Sequence, residues 1–432
     1  MHPLKAWRVL PPAGAPLSLA GLVRALGARP EGGALGALKQ TLGRMFAMPH
    51  VFLCGSGREA LANLFMVLRG LHPERDQVLL PAFGSYSLPS AVVKAGCRVG
   101  LYDLEPDTLL PRLDSLDRAL NDRCLAVVAC HQFGFAFDLA PMERLCRAAG
   151  VALIDDAAQA LGASANGRPA GTMGDAGIFS LSRGKNITAV SGGICITRNE
   201  ELARGMTALA AQNSAASPSA RHLSSLSILF AKALALWALR HPALYRVPAS
   251  LPWLQLGASL FDPHFSQAAF TPFQAGLALH SLARLEALTA ARAANAAAYQ
   301  ELLQDSAVAR PVQPQRGTVP AYLRFPLLPG EEAPEGWARR AANRSLGVSR
   351  GFPLALHYLE ELIPHLDTGG AIYPGASFLA RHLVTLPTHD HVRPQDRRAI
   401  AHHILIRASR AEAPAAPAAS RWKAKTKEGA RP

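Results

Sequence analysis

Between about residues 50 and 200 the chain alternates short apolar runs with segments of helical period. EALANLFMVLRGL (59–71) spaces its apolar residues as a helix does, and QVLLPAF (77–83) follows as a strand. SLPSAVVKAG then reads as a helix, RVGLYDL as a strand and CLAVVACH as a buried strand. APMERLCRAAG reads as a helix and VALIDDAA as a strand. Strands separated by helices predict a mostly parallel sheet with helices on both faces. Ligands of such sheets bind beyond the carboxyl ends of the strands, so the residues closing each apolar run are the functional candidates. Residues 222–262 break the pattern with a long apolar helix, interrupted only by Lys232 and Arg240, and then a Pro-rich stretch. From 272 to 304 one unbroken helix is expected to lead out of the large domain. Residues 305–406 read as a smaller α/β unit, with AYLRFPLL as a strand and RPQDRRAIAHHILI as its closing helix. The expected division is a large domain over 1–290 carrying the insert 222–262, a small C-terminal domain over 291–407, and a disordered basic tail over 408–432.

Composition narrows the class. The 432 residues are 49% hydrophobic and 18% charged, which excludes wholesale disorder. The formal charge of +14 favours anionic partners: nucleic acid, an acidic membrane surface or phosphorylated small molecules. No basic patch interleaved with aromatics and no nucleic-acid-binding motif occurs, so nucleic acid is not expected. The six cysteines form neither a CxxC pair nor a metal-ligand cluster. Buried free thiols in a reducing cytoplasm, and no metal, are the expectation. MHPLKAWRVLPPAG lacks the apolar core of a secretion signal, in keeping with a cytoplasmic location.

Three segments carry candidate chemistry. VALIDDAAQALGA (151–163) ends an apolar strand in two acids, Asp155 and Asp156, which alone could equally be a helix cap or a surface turn. GTMGDAGIFSLSRGKNITAVSGGICIT (171–197) surrounds a single lysine, Lys185, with Gly and Ser after a strand-like GIFSLS. Lysines are usually solvated. One placed between a Ser-bearing strand and a Gly-Gly turn is instead a candidate for Schiff-base chemistry with an aldehyde cofactor, for which its amine must lose its proton. A carboxylate facing a pyridine nitrogen keeps that ring protonated and makes it an electron sink. A cofactor phosphate needs backbone N–H groups at a helix N-terminus, and Gly55, Ser56 and Gly57 lead directly into the helix opened by Arg58 and Glu59. Alone, that segment is also an ordinary Gly/Ser-capped helix.

Together these segments resemble the DegT/DnrJ/EryC1/StrS family of sugar aminotransferases, which use pyridoxal 5'-phosphate (PLP) on the type I fold. The family's Ser-Gly-Thr-x-Ala-Leu is similar to Ser56-Gly57-Arg58-Glu59-Ala60-Leu61, and its Glu-Asp-Ala-Ala-Gln-Ala to Asp155-Asp156-Ala157-Ala158-Gln159-Ala160. Its Phe-Ser-Phe-x-x-x-Lys is similar to the run from Phe179 to Lys185, with Gly192-Gly193 beyond. Residues 50–200 are covered well and 270–406 loosely, with weaker echoes around His131 and in LVTLPTHDHV (383–392). The resemblance implies the PLP-dependent transferase fold of type I: a mostly parallel, seven-stranded-type sheet between helices, plus a smaller C-terminal α/β domain.

It also implies roles. Lys185 would carry the cofactor and move the substrate proton, Asp156 would pair with the pyridinium, and Gln159 would bond the ring hydroxyl. Ser180 and the backbone of Gly57, Arg58 and Glu59 would hold the phosphate. A homodimer with a shared active site is implied, Gln267 standing where the partner subunit's Asn would reach the phosphate. Departures are Arg58 for the family Thr and Ser85 at the position of the ring-stacking aromatic, for which Tyr86 could substitute. The Asn-Tyr-Arg-Met segment is absent. The implied reaction transfers an amino group, from glutamate as donor, to a keto-sugar carrying a nucleotide or lipid diphosphate. Dehydration of a sugar is the enzymatic alternative, though in the dehydratase relatives His replaces the lysine. A lapsed, membrane-associated scaffold is the other. The insert is either buried, in the dimer interface or on the large domain, or it lies at a membrane surface through 222–246 as a peripheral contact at the inner membrane. Lys232 in mid-segment and His241-Pro242 at its end argue against a transmembrane span.

Overall fold

Seven of the apolar runs form one sheet: β1 (His50–Cys54), β2 (Gln77–Pro81), β3 (Arg98–Tyr102), β4 (Cys124–Cys130), β5 (Ala152–Asp156), β6 (Ala176–Ser180) and β7 (Gly193–Thr197). The computed structural model describes residues 8–28, 33–215, 222–250 and 259–407, so the basic tail expected from 408 lies outside the described residues. Strand order is β1-β7-β6-β5-β4-β2-β3. The strands from β3 through β6 pair in parallel, whereas β7 runs antiparallel to both β6 and β1. Every residue of β4 is buried, as a central parallel strand covered on both faces requires.

The helices include α1 (Leu19–Leu26), α2 (Ala34–Phe46), α3 (Gly57–Leu71), α4 (Ser87–Lys94), α5 (Leu113–Ala119), α6 (Ala140–Ala148), α7 (Glu200–Ala215), α8 (His222–Leu239), α9 (Pro272–Leu282) and α10 (Leu285–Leu303). The unbroken helix expected over 272–304 is therefore two. Arg284 takes φ −110° and ψ 2°, and its N–H bonds back to Ser281, which closes α9 with a tight turn. Phe273, Leu277 and Ala278 of α9 belong to the core around the large sheet, as do Leu285 and Leu288 at the start of α10, whereas Ala296, Tyr299 and Leu303 farther along α10 enter a second core. That second core fills out with Phe325, Trp337 and Ile400 beside an antiparallel sheet of β8 (Ala309–Pro311), β9 (Arg324–Pro329) and β10 (Val384–Pro387).

Two connections cross between the cores. Residues 355–383 pack on the first core although they lie between strands of the second sheet. In the other direction, the N-terminal segment reaches the second core through Leu10. Its Val9 N–H bonds to Pro242 O and its Leu10 N–H to Ser345 O, and Pro11 O accepts from His389 Nε2 at 2.9 Å. Gly14 lies against the His389 ring, and Ala13 faces Gly184 in the loop that carries Lys185.

Helix α8 settles on the large domain through Ala233, which is fully buried, and through Phe230, whose ring meets that of Phe273 edge-on at 6.2 Å. No helix among the described residues is long and apolar enough to cross a membrane.

The paired acids at the end of β5 separate, as alternate strand residues must. Asp155 is completely buried, with Oδ2 accepting the Gly171 and Met173 N–H groups at 2.8 and 2.9 Å and Oδ1 standing 2.8 Å from His131 Nε2. This carboxylate fixes the 171–173 turn. Asp155→Ala leaves those buried N–H groups and the His131 ring without partners, so denaturant unfolding of the cofactor-free protein is expected to show a loss of about 3 kcal/mol. A change under about 1 kcal/mol would contradict the structural role assigned to Asp155.

Candidate active site

Strand register brings the candidate residues to one edge of the sheet. Cys130, the last residue of β4, pairs with Asp156, the last of β5, and Asp156 pairs with Ile178, two residues short of Ser180. Ser180 pairs with Gly193, and Gly193 with Cys54. Cys54 ends β1, and the chain turns through Gly55 and Ser56 into α3. A Cβ on Gly193 would stand 2.2 Å from Ser56 O, so only glycine lets β7 approach the start of α3 this closely. A Cβ on Gly57 would lie 3.2 Å from Ser180 Cβ, which puts the first turn of α3 directly beside the Ser180 side chain.

The N-terminus of α3 is capped by Ser56, whose Oγ accepts the Glu59 N–H at 3.1 Å. The Glu59 N–H meets its own cap, because an N-cap hydroxyl takes the third backbone donor of a helix. The N–H groups of Gly57 and Arg58 have no partner among the described residues and are the open donors of this turn. The Glu59 carboxylate is also engaged, accepting from Ala268 N at 3.2 Å, and burial raises its pKa. The Arg58 guanidinium turns away, lying 3.6 Å from Asp262 and 4.8 Å over the Phe265 ring. Ser180 Oγ shares a 3.0 Å hydrogen bond with Ser182 Oγ.

Asp156 is buried, with Oδ1 accepting the Ala158 N–H at 2.9 Å and Oδ2 only the Cys130 thiol at 3.5 Å. Burial raises its pKa above the ordinary carboxylate value, opposed by the Ala158 N–H and by the charge of Lys185. Lys185 takes no hydrogen bond or ion pair among the described residues. Burial lowers its pKa, opposed by the charge of Asp156. Each group figures in the other's electrostatics, so the amine and the carboxylate share one environment without being in contact.

Gln159 is held by two bonds. Its Oε1 accepts the Phe133 N–H at 3.2 Å, and its Nε2 donates at 3.3 Å to Gln132 Oε1, while Gln132 Nε2 donates to Phe83 O. Tyr86 opens α4 with its hydroxyl pinned to Leu354, donating to the carbonyl at 3.0 Å and accepting the N–H at 3.1 Å, and its ring lies 6.4 Å from that of Phe352. Gln267 is exposed and donates to Asn63 on α3 of its own chain at 3.0 Å. Cys130, Gln132 and Phe352 were not singled out in the sequence. Only strand register and the return of the chain at 352 bring them here, and neither leaves a local signature.

The donor set suits pyridoxal phosphate: a buried carboxylate with one weakly held oxygen, a partnerless amine, and two open backbone N–H groups beside a serine hydroxyl. No group of three or more His, Cys, Asp or Glu able to hold a metal occurs among the described residues.

Known proteins give the same frame. A GDP-perosamine synthase of Vibrio cholerae is 30% identical over 151 residues, covering 35% of this chain and 41% of its own length. An L-glutamine:2-deoxy-scyllo-inosose aminotransferase of Streptoalloteichus tenebrarius is 27% identical over 285 residues, or 66% of this chain and 60% of that protein. The chain thus spans less than two thirds of the length of the curated relatives it matches. Among solved structures, Helicobacter pylori PseC, an aminotransferase involved in the biosynthesis of pseudoaminic acid, superposes with TM-score 0.72 at 15% identity, covering 92% of this chain and 98% of that one. DesI, determined in the presence of its TDP-sugar product, superposes with TM-score 0.70 at 21% identity over 94% of both chains. Such likenesses establish the fold. The DegT/DnrJ/EryC1/StrS aminotransferase family matches residues 28–405, a span that takes in both cores and every strand end at the site, and the chain belongs to that family.

Proposed function

We propose that this protein is a PLP-dependent aminotransferase moving an amino group from an amino acid, glutamate, to a keto-sugar that carries a nucleotide or lipid diphosphate. The observation that carries this reading is the pair Asp156, buried at the end of β5, and Lys185, half-buried in the loop after β6, each within the other's electrostatic reach and close to the open N-terminus of α3. The names of the relatives, synthases and aminotransferases of sugars and cyclitols, support the substrate class, and the net charge of +14 suits a phosphorylated one. Six free, buried cysteines are in keeping with a cytoplasmic enzyme. A homodimer with a shared site is part of the reading, with the exposed Gln267 presented to the phosphate of the partner.

When bound, the cofactor supplies an aldehyde that accepts the amino group and a ring that draws electrons from the substrate carbon. Burial keeps the Lys185 amine neutral more readily than in water, which makes it a nucleophile toward that aldehyde and then a base for the substrate proton. Asp156, whose Oδ2 is held only by a thiol, would face the cofactor's ring nitrogen and keep it protonated. The Gly57 and Arg58 N–H groups and the Ser180 hydroxyl would hold the phosphate at the positive end of the helix. Gln159, fixed by Phe133 and Gln132, would hold the ring hydroxyl.

Lys185→Ala is expected to abolish the visible absorbance band of the purified protein and its bleaching by glutamate, with turnover falling about a thousandfold or more. Turnover at the parental rate would refute the assignment, and a parental band indifferent to every amino donor would remove transamination. Asp156→Asn cannot carry the charge that holds the ring proton, so turnover is expected to fall about a hundredfold or more while the fold is retained by circular dichroism. The lowered pKa of Lys185 sets a pH dependence. Its neutral, reactive form is gained as pH rises through a value below that of free lysine, so cofactor uptake by the cofactor-free protein should accelerate with pH at a midpoint under about 10.4. A midpoint at or above that of free lysine would contradict the burial argument.

A further inference from the structure

Half of the large apolar side chains exposed among the described residues, nine of eighteen, lie in two stretches, 19–26 and 226–260. On α1, Leu19, Val23 and Leu26 recur at helical spacing and are 51%, 63% and 51% exposed. On α8, Ile228 and Leu234 are 54% and 40% exposed on the side away from buried Ala233, where Ala231, Lys232 and Ala235 are also exposed. The two helices pack against each other, so these faces adjoin.

The charge pattern of the same stretches is one-sided. Residues 1–30 contain no Asp or Glu, and neither do residues 202–261, which carry five Lys or Arg. Arg24 on α1 and Lys232 on α8 are exposed on the outer faces. Arg240, by contrast, is half-buried, and burial lowers its pKa, opposed by Asp390, so it does not contribute to the outer face.

We propose that the outer faces of α1 and α8 form a docking surface for an anionic lipid bilayer. Exposed apolar side chains on two helices in contact suit shallow insertion among headgroups and acyl chains. Arg24 and Lys232, which take no ion pair among the described residues, suit acidic headgroups. Charge complementarity selects this occupant over a second copy of the chain. Two such faces brought together would oppose cations to cations with no carboxylate to answer them. The proposal extends the surface beyond the insert to the N-terminal helix and is independent of the reaction at Lys185.

The test is cosedimentation of the full-length, cofactor-loaded protein with phosphatidylcholine vesicles containing about a third phosphatidylglycerol, and with phosphatidylcholine alone. Binding is expected to the anionic vesicles, at least about tenfold weaker to the neutral ones, and reduced by high salt. The double variant Val23→Asp, Ile228→Asp should lower vesicle affinity about tenfold or more with the visible band and turnover unchanged, and the milder Lys232→Glu several-fold. Absence of pelleting with anionic vesicles would overturn the proposal, as would equal binding by the folded variants. A change of molar mass in solution on introducing the double variant would assign the face to contacts between copies and overturn it equally.

Discussion

A buried carboxylate at a strand end and a half-buried amine in the adjoining loop form the constraint on which the rest of this structure depends. Burying either charge is costly unless a partner compensates it. Asp156 has one backbone N–H and a distant thiol, and Lys185 has no partner among the described residues. The residue before Asp156 shows how the chain treats an acid whose role is structural. Asp155 has two backbone N–H donors and a histidine at 2.8 Å. One residue apart on the same strand, one side chain is held by two backbone N–H groups beside a histidine and the other is left short of a cationic donor. A pyridinium N–H would fill that deficit, and an aldehyde would take up the amine.

The register of the sheet carries this carboxylate to the edge where the open N-terminus of α3 lies. β7 runs against its parallel neighbours, which brings Gly193 back to the carboxyl end of β6 and beside the start of α3. Glycine at 193 and at 57 lets that helix approach the sheet until its open N–H groups stand beside Ser180. The helix end supplies positive potential without a lysine or arginine, in keeping with Arg58 engaging Asp262 and Phe265 instead.

Much of this was legible in the sequence, because the segments involved write their function locally. A Gly-Ser-Gly helix start, an apolar run ending in acids and a lysine set among glycines each constrain the backbone within a few residues. What the sequence did not disclose depends on partners far along the chain. The break at 283–284 is a tight turn at Arg284, and no proline or glycine marks it. The engagement of the Glu59 N–H by the Ser56 cap and of its carboxylate by Ala268 likewise depends on folded geometry, the latter on a residue distant in sequence. Cys130 reads as one more apolar strand residue until register sets its thiol 3.5 Å from the Asp156 carboxylate.

The same long-range logic ties the insert to the site. The turn after α8 accepts a hydrogen bond from Val9 through Pro242, and the N-terminal segment then passes His389 and reaches Gly184, next to the lysine. That segment also leads into α1, whose outer face adjoins that of α8. Displacing the segment would expose Leu10, which is buried in the second core. The apolar insert is thus tied to the lysine loop through hydrogen bonds and contacts of the N-terminal segment, not through its own backbone.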